Sequence, residues 1–394
     1  MENIQQIKEN IELFITSSNK YEIKKEDISL DLKRIGGYSN TNFFGIIKNK
    51  STNVIIENIF YREYAKKFEA LSDSINHEEE IQITKLLAEK GYGPKFLFEV
   101  KDSFCITQFI TDTKALPREK YFDKNIIEQL CTILNYFTSF SYVYKYEINN
   151  DSIKLLPIIN TNEENKKIHS TKNQYEKSIR DLYDNSKNVF NIFYKQFIQK
   201  YSKEKNPEEY SKIELVKYHL DNYKKIYNEN SLTKGFYVIN HNDVFDANIL
   251  YREKDDKIFL IDHEYFILNL PGHDIAYYII ESFFYNEPEY KSELNKVDFD
   301  KLFPYYEVFI NKFIESNKFI ENEESGKEFM ELIKTKTYFI KLMNAVNLYL
   351  FIWSIGNSDF NNWEKNETKE FFFIHAVDRI KFYLLGRDKI EKLK

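Results

Sequence analysis

The apolar residues change their spacing twice along the chain, and those changes limit the folds open to it. From Leu32 to Phe60, LKRIGGYSNTNFFGIIKNKSTNVIIENIF reads as strand, glycine turn, strand, Asn/Ser turn and strand. HEEEIQITKLLAEKGYG then has the spacing of an amphipathic helix closed by Gly91. PKFLFEV and SFCITQFI, joined by a Lys-Asp turn, form a hairpin-like pair. Residues 1–30 read as a helix followed by extended chain. Beyond Ile110 the β signal fades, and 121–145 and 160–230 carry apolar residues at helical spacing, the latter as a solvated helical layer. A short β island returns at 236–262, and helices fill 274–394. The layout is an α+β chain with a small β-rich N-terminal lobe, residues 1–110, and a larger, mainly helical C-terminal lobe, residues 111–394. A hinge is expected near Phe109–Thr113.

Composition narrows the partners. Basic and acidic residues number 56 and 62, a net charge of −6, which argues against nucleic acid, a partner that calls for a basic face. Cys105 and Cys131 are the only cysteines, too few for a disulfide framework or a zinc cluster, and they suit a reducing compartment. The opening MENIQQIKENIELF is acidic and polar and does not read as a signal peptide. No run reaches ~18 uncharged apolar residues, so no membrane span is expected. These features together predict a cytoplasmic protein without stable membrane insertion. A homodimer contact through the first 30 residues is compatible with the sequence. Asn, Lys, Ile, Tyr and Phe all have AT-rich codons, and the chain has 30 Tyr and 34 Phe, so a single aromatic or asparagine carries little information and spacing carries much.

The spacing that matters lies in HNDVFDANIL, residues 241–250. Phosphoryl transfer needs an acid to take the acceptor's proton, oxygen ligands for magnesium and a loop over the phosphates. Asp243 and Asn248 stand as Asp-x4-Asn, the kinase spacing of base and metal ligand, and KIFLID ends on Asp262 after an apolar strand. A hairpin from Ile249 to Leu260, turning at KDDK, would bring Asp262 back beside Asn248. The Asp-x4-Asn pair alone is common by chance. Combined with that Asp and with an upstream Gly-Gly turn it specifies a catalytic loop.

In this order the blocks resemble the choline/ethanolamine kinases, relatives of the aminoglycoside phosphotransferases with a protein-kinase-like bilobal fold. GGYSN (36–40) resembles the phosphate-covering turn, NHEEEIQITKLLAEKGYGPKFL (76–97) the N-lobe helix and its following strand, and TQFI (107–110) the adenine hinge. HNDVFDANIL resembles the catalytic loop, IDHEYFILNLPGHDIA (261–276) the metal-binding segment, and LFIWSI (350–355) a Trp-bearing C-terminal helix. The resemblance implies ATP and Mg2+ as cofactors. Asp243 would be the general base, and Asn248 and Asp262 the magnesium ligands. Gly36, Gly37, Ser39 and Asn40 would turn backbone N–H groups to the phosphates, and Gln108 and Ile110 would meet adenine through backbone groups. Glu80 would orient a phosphate-binding cation or the metal, with Glu78 a close competitor. Asp274 would support the loop and His241 would be a packed structural histidine.

The implied acceptor is a small amino alcohol, choline or ethanolamine, with Tyr265 and Trp353 at aromatic cage positions and Glu281 at the carboxylate position. The chain departs from the family pattern in several places. Leu350 replaces a second tryptophan, Phe245 replaces a Gln or Leu, and further cage positions fall on Asn286 and near His375. No histidine lies on the 121–145 helix. Glu57 stands near the expected basic residue of the third strand, and Arg62 would substitute if the strand is shifted. The leading expectation is a choline kinase making phosphocholine for phospholipid synthesis. Ethanolamine kinase, an aminoglycoside-type phosphotransferase and a catalytically weak pseudokinase are the alternatives.

Overall fold

The computed structural model describes the chain apart from residues 1–3, 19–20, 22–23, 36–40, 65–76, 102, 141–142, 150–151, 159–173, 201–202, 231–233, 286–289, 323 and 359–366. Two compact units emerge, each built from two chain segments: Met1–Ala115 with Ile249–Glu264, and Leu116–Asn248 with Tyr265–Lys394.

The first unit centres on a five-stranded antiparallel sheet, order β1-β2-β3-β5-β4. Its strands are β1 (Ile28–Ile35), β2 (Thr41–Asn49), β3 (Ile55–Glu63), β4 (Phe96–Val100) and β5 (Phe104–Gln108). Helix α1 (Ile4–Ser17) buries Ile7, Ile11, Phe14 and Ile15, an apolar stripe at helical spacing, against Phe43, Ile47, Ile59, Tyr61, Phe104 and Ile106 of the sheet. Asn10 of α1 donates to the Tyr61 hydroxyl at 2.8 Å, which ties the same face by a polar contact. Helix α2 (His77–Glu89) opens with Glu78, Glu79 and Glu80, charges favoured at a helix N-terminus. It ends before Gly91, whose φ of 71° is the left-handed conformation that closes helices. A three-stranded sheet joins β6 (Lys114–Ala115) to the hairpin of β10 (Ile249–Arg252) and β11 (Lys257–Leu260). Ile249 faces Leu260 across the hairpin, and the turn closes at Asp256, in the left-handed region at φ 50°. The Leu260 N–H donates to the Tyr92 carbonyl at 2.9 Å and fixes β11 to the segment after α2.

The second unit contains β structure that the helical reading of 121–145 did not anticipate. Helix α3 (Lys124–Phe140) ends there, and β7 (Val143–Asn149) and β8 (Ser152–Ile158) form a hairpin. With β9 (Lys234–Asn240) and β12 (Ile267–Asn269) they make a four-stranded sheet, order β12-β9-β7-β8. The tyrosines and Ile148 alternate with Lys145 and Glu147 at a period of two, the spacing of a strand. Helices α4 (Gln174–Lys200), α5 (Pro207–Asp221) and α6 (Tyr223–Asn230) follow, then α7 (His273–Glu281) and the short pair β13 (Phe284–Tyr285) and β14 (Lys291–Ser292). The chain closes with α8 (Phe299–Ser316), α9 (Glu324–Ile333), α10 (Lys336–Asn357) and α11 (Glu367–Leu393). Thr335 caps α10 by accepting from the Tyr338 N–H at 3.1 Å. Helix α10 is apolar nearly all round. By length and composition it could cross a membrane, but 72% of its most apolar window is buried, as in the central helix of a core. Leu348, Phe351, Ile352 and Ile355 of α10 pack with Phe190, Phe193 and Phe197 of α4 and with Val377 and Ile380 of α11. Both cysteines are free and buried, and burial raises their thiol pKa values to about 11 for Cys105 and about 12 for Cys131.

Candidate active-site residues

In the first unit, three charged side chains meet on β3, α2 and the segment after β11. Arg62, near the end of β3, donates from one guanidinium nitrogen to Glu80 of α2 at 2.7 Å and from another to Asp262 at 3.1 Å. Arg62 and Glu80 are 10% exposed at the side chain, while Asp262 is 30% exposed. Burial works against the charge on Arg62, but the Asp262 and Glu80 carboxylates outweigh it and hold its pKa above the ordinary arginine value. Arg62 is thus the basic residue of β3 that meets these carboxylates. Glu57, five residues earlier on β3, accepts from the Tyr21 hydroxyl at 2.9 Å. Glu78 pairs with Lys101 at 3.9 Å on the surface. Asp262 itself lies at φ 64°, a region a non-glycine residue enters only where its surroundings hold it there. Gln108 donates its backbone N–H to the Lys95 carbonyl at 2.8 Å, and the Ile110 carbonyl accepts from the Thr113 hydroxyl at 2.8 Å. Gly36, Gly37, Ser39 and Asn40 lie outside the described residues.

In the second unit the loop after β9 is held by α7. The carboxylate of Asp274, in the first turn of α7, accepts the backbone N–H of His241 at 2.7 Å and of Asn242 at 2.8 Å. Gly272 makes this approach possible. Its φ is 86°, and a Cβ there would stand 2.7 Å from the Tyr306 ring. Asn242 is held at φ 64° by its own side chain, which donates to the carbonyls of Asn240 at 2.9 Å and Tyr265 at 3.0 Å and accepts from Asn269 at 2.8 Å. His241 is fully buried.

On this clamped backbone, Asp243 is partly exposed and its two carboxylate oxygens have different partners. Asn248 donates its side-chain amide to Oδ2 at 2.8 Å and to the Asp243 carbonyl at 2.9 Å. Tyr277 of α7 donates its hydroxyl to Oδ1 at 3.1 Å. Burial, reinforced by the Asp243 and Glu281 carboxylates and opposed by Arg379, pushes the Tyr277 phenol well above its ordinary pKa, so it remains a neutral donor.

Glu281 ends α7 and is 6% exposed. It is ion-paired at 2.6 Å with Arg379 of α11, itself 1% exposed. The same guanidinium lies 3.7 Å over the Phe284 ring and donates to His375 Nε2 at 3.1 Å. Burial and Arg379 hold the His375 pKa well below the ordinary value, so the ring is neutral and its Nδ1–H points at the Ser354 hydroxyl at 2.6 Å. Arg118 donates to the Glu281, Ser282 and Phe284 carbonyls at the C-terminal end of α7, where a cation is favoured.

A cluster of rings meets His375, which Arg379 holds. Trp353 is edge-on to Phe372 at 5.6 Å, and Phe372 is 5.1 Å from Phe371. Phe371 stacks on His375 at 5.8 Å and is edge-on to Tyr290 at 5.1 Å. The sequence points to Trp353, Glu281 and the neighbourhood of His375, but it does not reveal Arg379, Phe371, Phe372, Tyr290 or Tyr277. An arginine inside the apolar run FFFIHAVDRIKFYLL was the available signal for Arg379. Tyr265 is partly exposed, and its carbonyl is engaged by Asn242. Leu350 is buried in α10, and Asn286 lies outside the described residues.

Each unit carries an oxygen donor of the kind magnesium takes. Mg2+ takes hard oxygens and needs only one or two protein ligands beside phosphate and water. Asp262 is a carboxylate with a side chain open to solvent. Asn248 donates its amide nitrogen to Asp243, so its side-chain carbonyl oxygen is the atom it would offer to a metal. Among the described residues, no three His, Cys, Asp or Glu side chains converge as a set for a metal.

A sequence profile described as choline/ethanolamine kinase matches residues 33–384. A search of curated protein sequences returns no match. Among solved structures, the chain is similar to the choline kinase of Cryptosporidium parvum Iowa II, with a TM-score of 0.63 and 16% identity, over 99% of this chain and 97% of that one. It is also similar to the Plasmodium vivax ethanolamine kinase, TM-score 0.52 and 15% identity, over 99% and 91% of the two chains. The choline kinase LicA of Streptococcus pneumoniae matches with a TM-score of 0.50 and 14% identity, over 96% and 100%. The structural similarities show the shared fold, and the profile match spans most of the sequence. The chain belongs to the choline/ethanolamine kinase family and is a phosphotransferase with an alcohol group as acceptor.

Proposed function

We propose that the protein is an ATP-dependent choline kinase, forming phosphocholine for phospholipid synthesis in the cytoplasm. The observation that carries the choice of choline is the ring cluster of Trp353, Phe372, Phe371 and Tyr290, which meets His375, the neighbour of the Arg379–Glu281 pair. A quaternary ammonium has no N–H to donate and is recognised by aromatic faces, each contributing roughly 0.5–2 kcal/mol. Ethanolamine is the second reading. Leu350 stands where the family has a second tryptophan, and the loss of a cage aromatic costs choline more than a primary ammonium that can donate hydrogen bonds.

In the proposed reaction the acceptor hydroxyl oxygen forms a bond to the γ-phosphorus of ATP. The bond from that phosphorus to the β,γ-bridging oxygen breaks, ADP leaves, and the hydroxyl proton passes to Asp243. Asp243 suits this role because two donors hold its carboxylate while it stays open to solvent. Magnesium would be held by the Asn248 carbonyl oxygen and the Asp262 carboxylate and would neutralise charge on the phosphates. Arg62, braced by Glu80, is the phosphate-binding cation of this reading, and it sets the orientation of Asp262. Gly36, Gly37, Ser39 and Asn40 are assigned to the phosphates, Gln108 and Ile110 to adenine, and Tyr265 to the acceptor on the family pattern.

The test is ADP release with magnesium and ATP against choline, ethanolamine and kanamycin in parallel. Turnover greatest with choline supports the reading, turnover with ethanolamine alone selects the second, turnover with kanamycin alone selects an aminoglycoside-type phosphotransferase, and silence with all three selects a catalytically weak pseudokinase. Asp243→Ala should abolish transfer and leave nucleotide-dependent thermal stabilisation nearly intact, since the base touches the acceptor. Turnover within tenfold of wild type would remove Asp243 as the base.

A further inference from the structure

Asn248 and Tyr277 both donate to Asp243, but they come from different places. Asn248 belongs to the same loop. Tyr277 comes from α7, the helix whose first turn also supplies Asp274. Tyr277 is 6% exposed, so its hydroxyl needs an acceptor within the fold. A backbone carbonyl would satisfy it as well as any other group. Tyr278, the next residue, takes that solution and donates to the Tyr121 carbonyl at 2.8 Å. Tyr277 instead donates to the carboxylate of Asp243.

We propose that Tyr277 is a positioning residue for the general base, fixing the rotation of the Asp243 carboxylate relative to the acceptor hydroxyl. The inference rests on the reading of Asp243 as that base. An ionised carboxylate offers about four lone-pair sites, and Tyr277 on Oδ1 and Asn248 on Oδ2 occupy one on each oxygen. The torsion that carries a carboxylate is broad and roughly two-fold when nothing restrains it. Donors on both oxygens turn it into one orientation, since rotation would break both bonds together. Tyr277 is suited to the task because its ring is buried in the core of the unit and its phenol stays protonated. The same helix therefore fixes the loop backbone through Asp274 and the base's side chain through Tyr277.

The experiment is Tyr277→Phe, measured beside wild type for kcat, for KM of ATP and for KM of the acceptor. Phenylalanine keeps the ring and removes only the hydroxyl. The expected result is a fall in kcat of about tenfold to a hundredfold, the scale of a small misplacement of a reacting group, with both KM values within twofold. A kcat within twofold of wild type overturns the inference, and so does a loss confined to KM. If Tyr277→Phe does not fold, Tyr277→His is compared with Tyr277→Leu. A side chain with an N–H should keep several-fold more kcat than one without, and equal values overturn the inference. A wild type silent with choline and ethanolamine overturns the functional reading and this inference together. An active wild type with an unaffected variant overturns this inference alone.

Discussion

At Asp274 a carboxylate accepts two consecutive backbone N–H groups, and that contact, with no reactive role, sets where Asp243 stands. The same division holds at Glu281, where the carboxylate that family resemblance assigns to the acceptor is already bound to a buried arginine. Removing Arg379 leaves Glu281 charged, buried and alone. Arg379→Met should therefore cost about 3–5 kcal/mol of stability, the usual penalty for breaking a buried pair. Converting Glu281 to Leu in the same variant should recover part of it. Urea unfolding measures both, and a single-variant loss below about 1 kcal/mol would show that water reaches Glu281. Some of this was legible in residues alone. Asp243, Asn248 and Asp262 stand out by spacing, and the Glu57 or Arg62 ambiguity was visible on the strand. Tyr277 was not legible, because it meets Asp243 across 34 positions by way of a helix packing that no local pattern encodes.

Among the elements, α7 carries more of the proposed site than any other. Its first turn clamps the loop, Tyr277 orients the base, Glu281 closes its last turn, and Arg118 caps its carbonyls. The position of the helix depends on Gly272, which precedes it at φ 86° with no room for a Cβ beside Tyr306. Gly272→Ala should destabilise the protein by more than about 1 kcal/mol, because it combines a left-handed backbone with a steric clash. It should also lower kcat by shifting Asp274. A thermal melt together with a kinetic assay tests this, and unchanged values for both would contradict it. Element types were read well where the period was long and clean, as in α2 and the strands β1 to β5. The β7–β8 hairpin was missed because its alternation of tyrosine with lysine and glutamate follows directly on a helical run and uses residues common everywhere in this composition.

For the molecule as a whole, the buried histidines link stability to pH. Burial, with Arg379, holds His375 well below its ordinary pKa, and burial lowers His219. The unfolded chain binds these protons near pH 6.5 and the folded chain does so only at lower pH. The unfolded state thus holds more protons below that point, so this stability is present above about pH 6.5 and is lost as pH falls. The slope approaches about 1.4 kcal/mol per pH unit for each such group. The urea midpoint should drop between pH 7 and pH 5, and His375→Gln should flatten that drop by one proton's share. An identical slope in the variant would refute the linkage.

The chain also leaves its first unit at Ala115 and returns to it for Ile249–Glu264 before leaving again. The order of synthesis therefore works against early completion of that unit. When Ala115 has emerged, the five-stranded sheet has all its strands, but β6 lacks the hairpin it pairs with and Arg62 lacks Asp262. Glu80 is the one carboxylate of the pair then available to the arginine. The nascent N-terminal unit must wait for the Ile249–Glu264 segment before Arg62 gains its second carboxylate and β6 its partner strand.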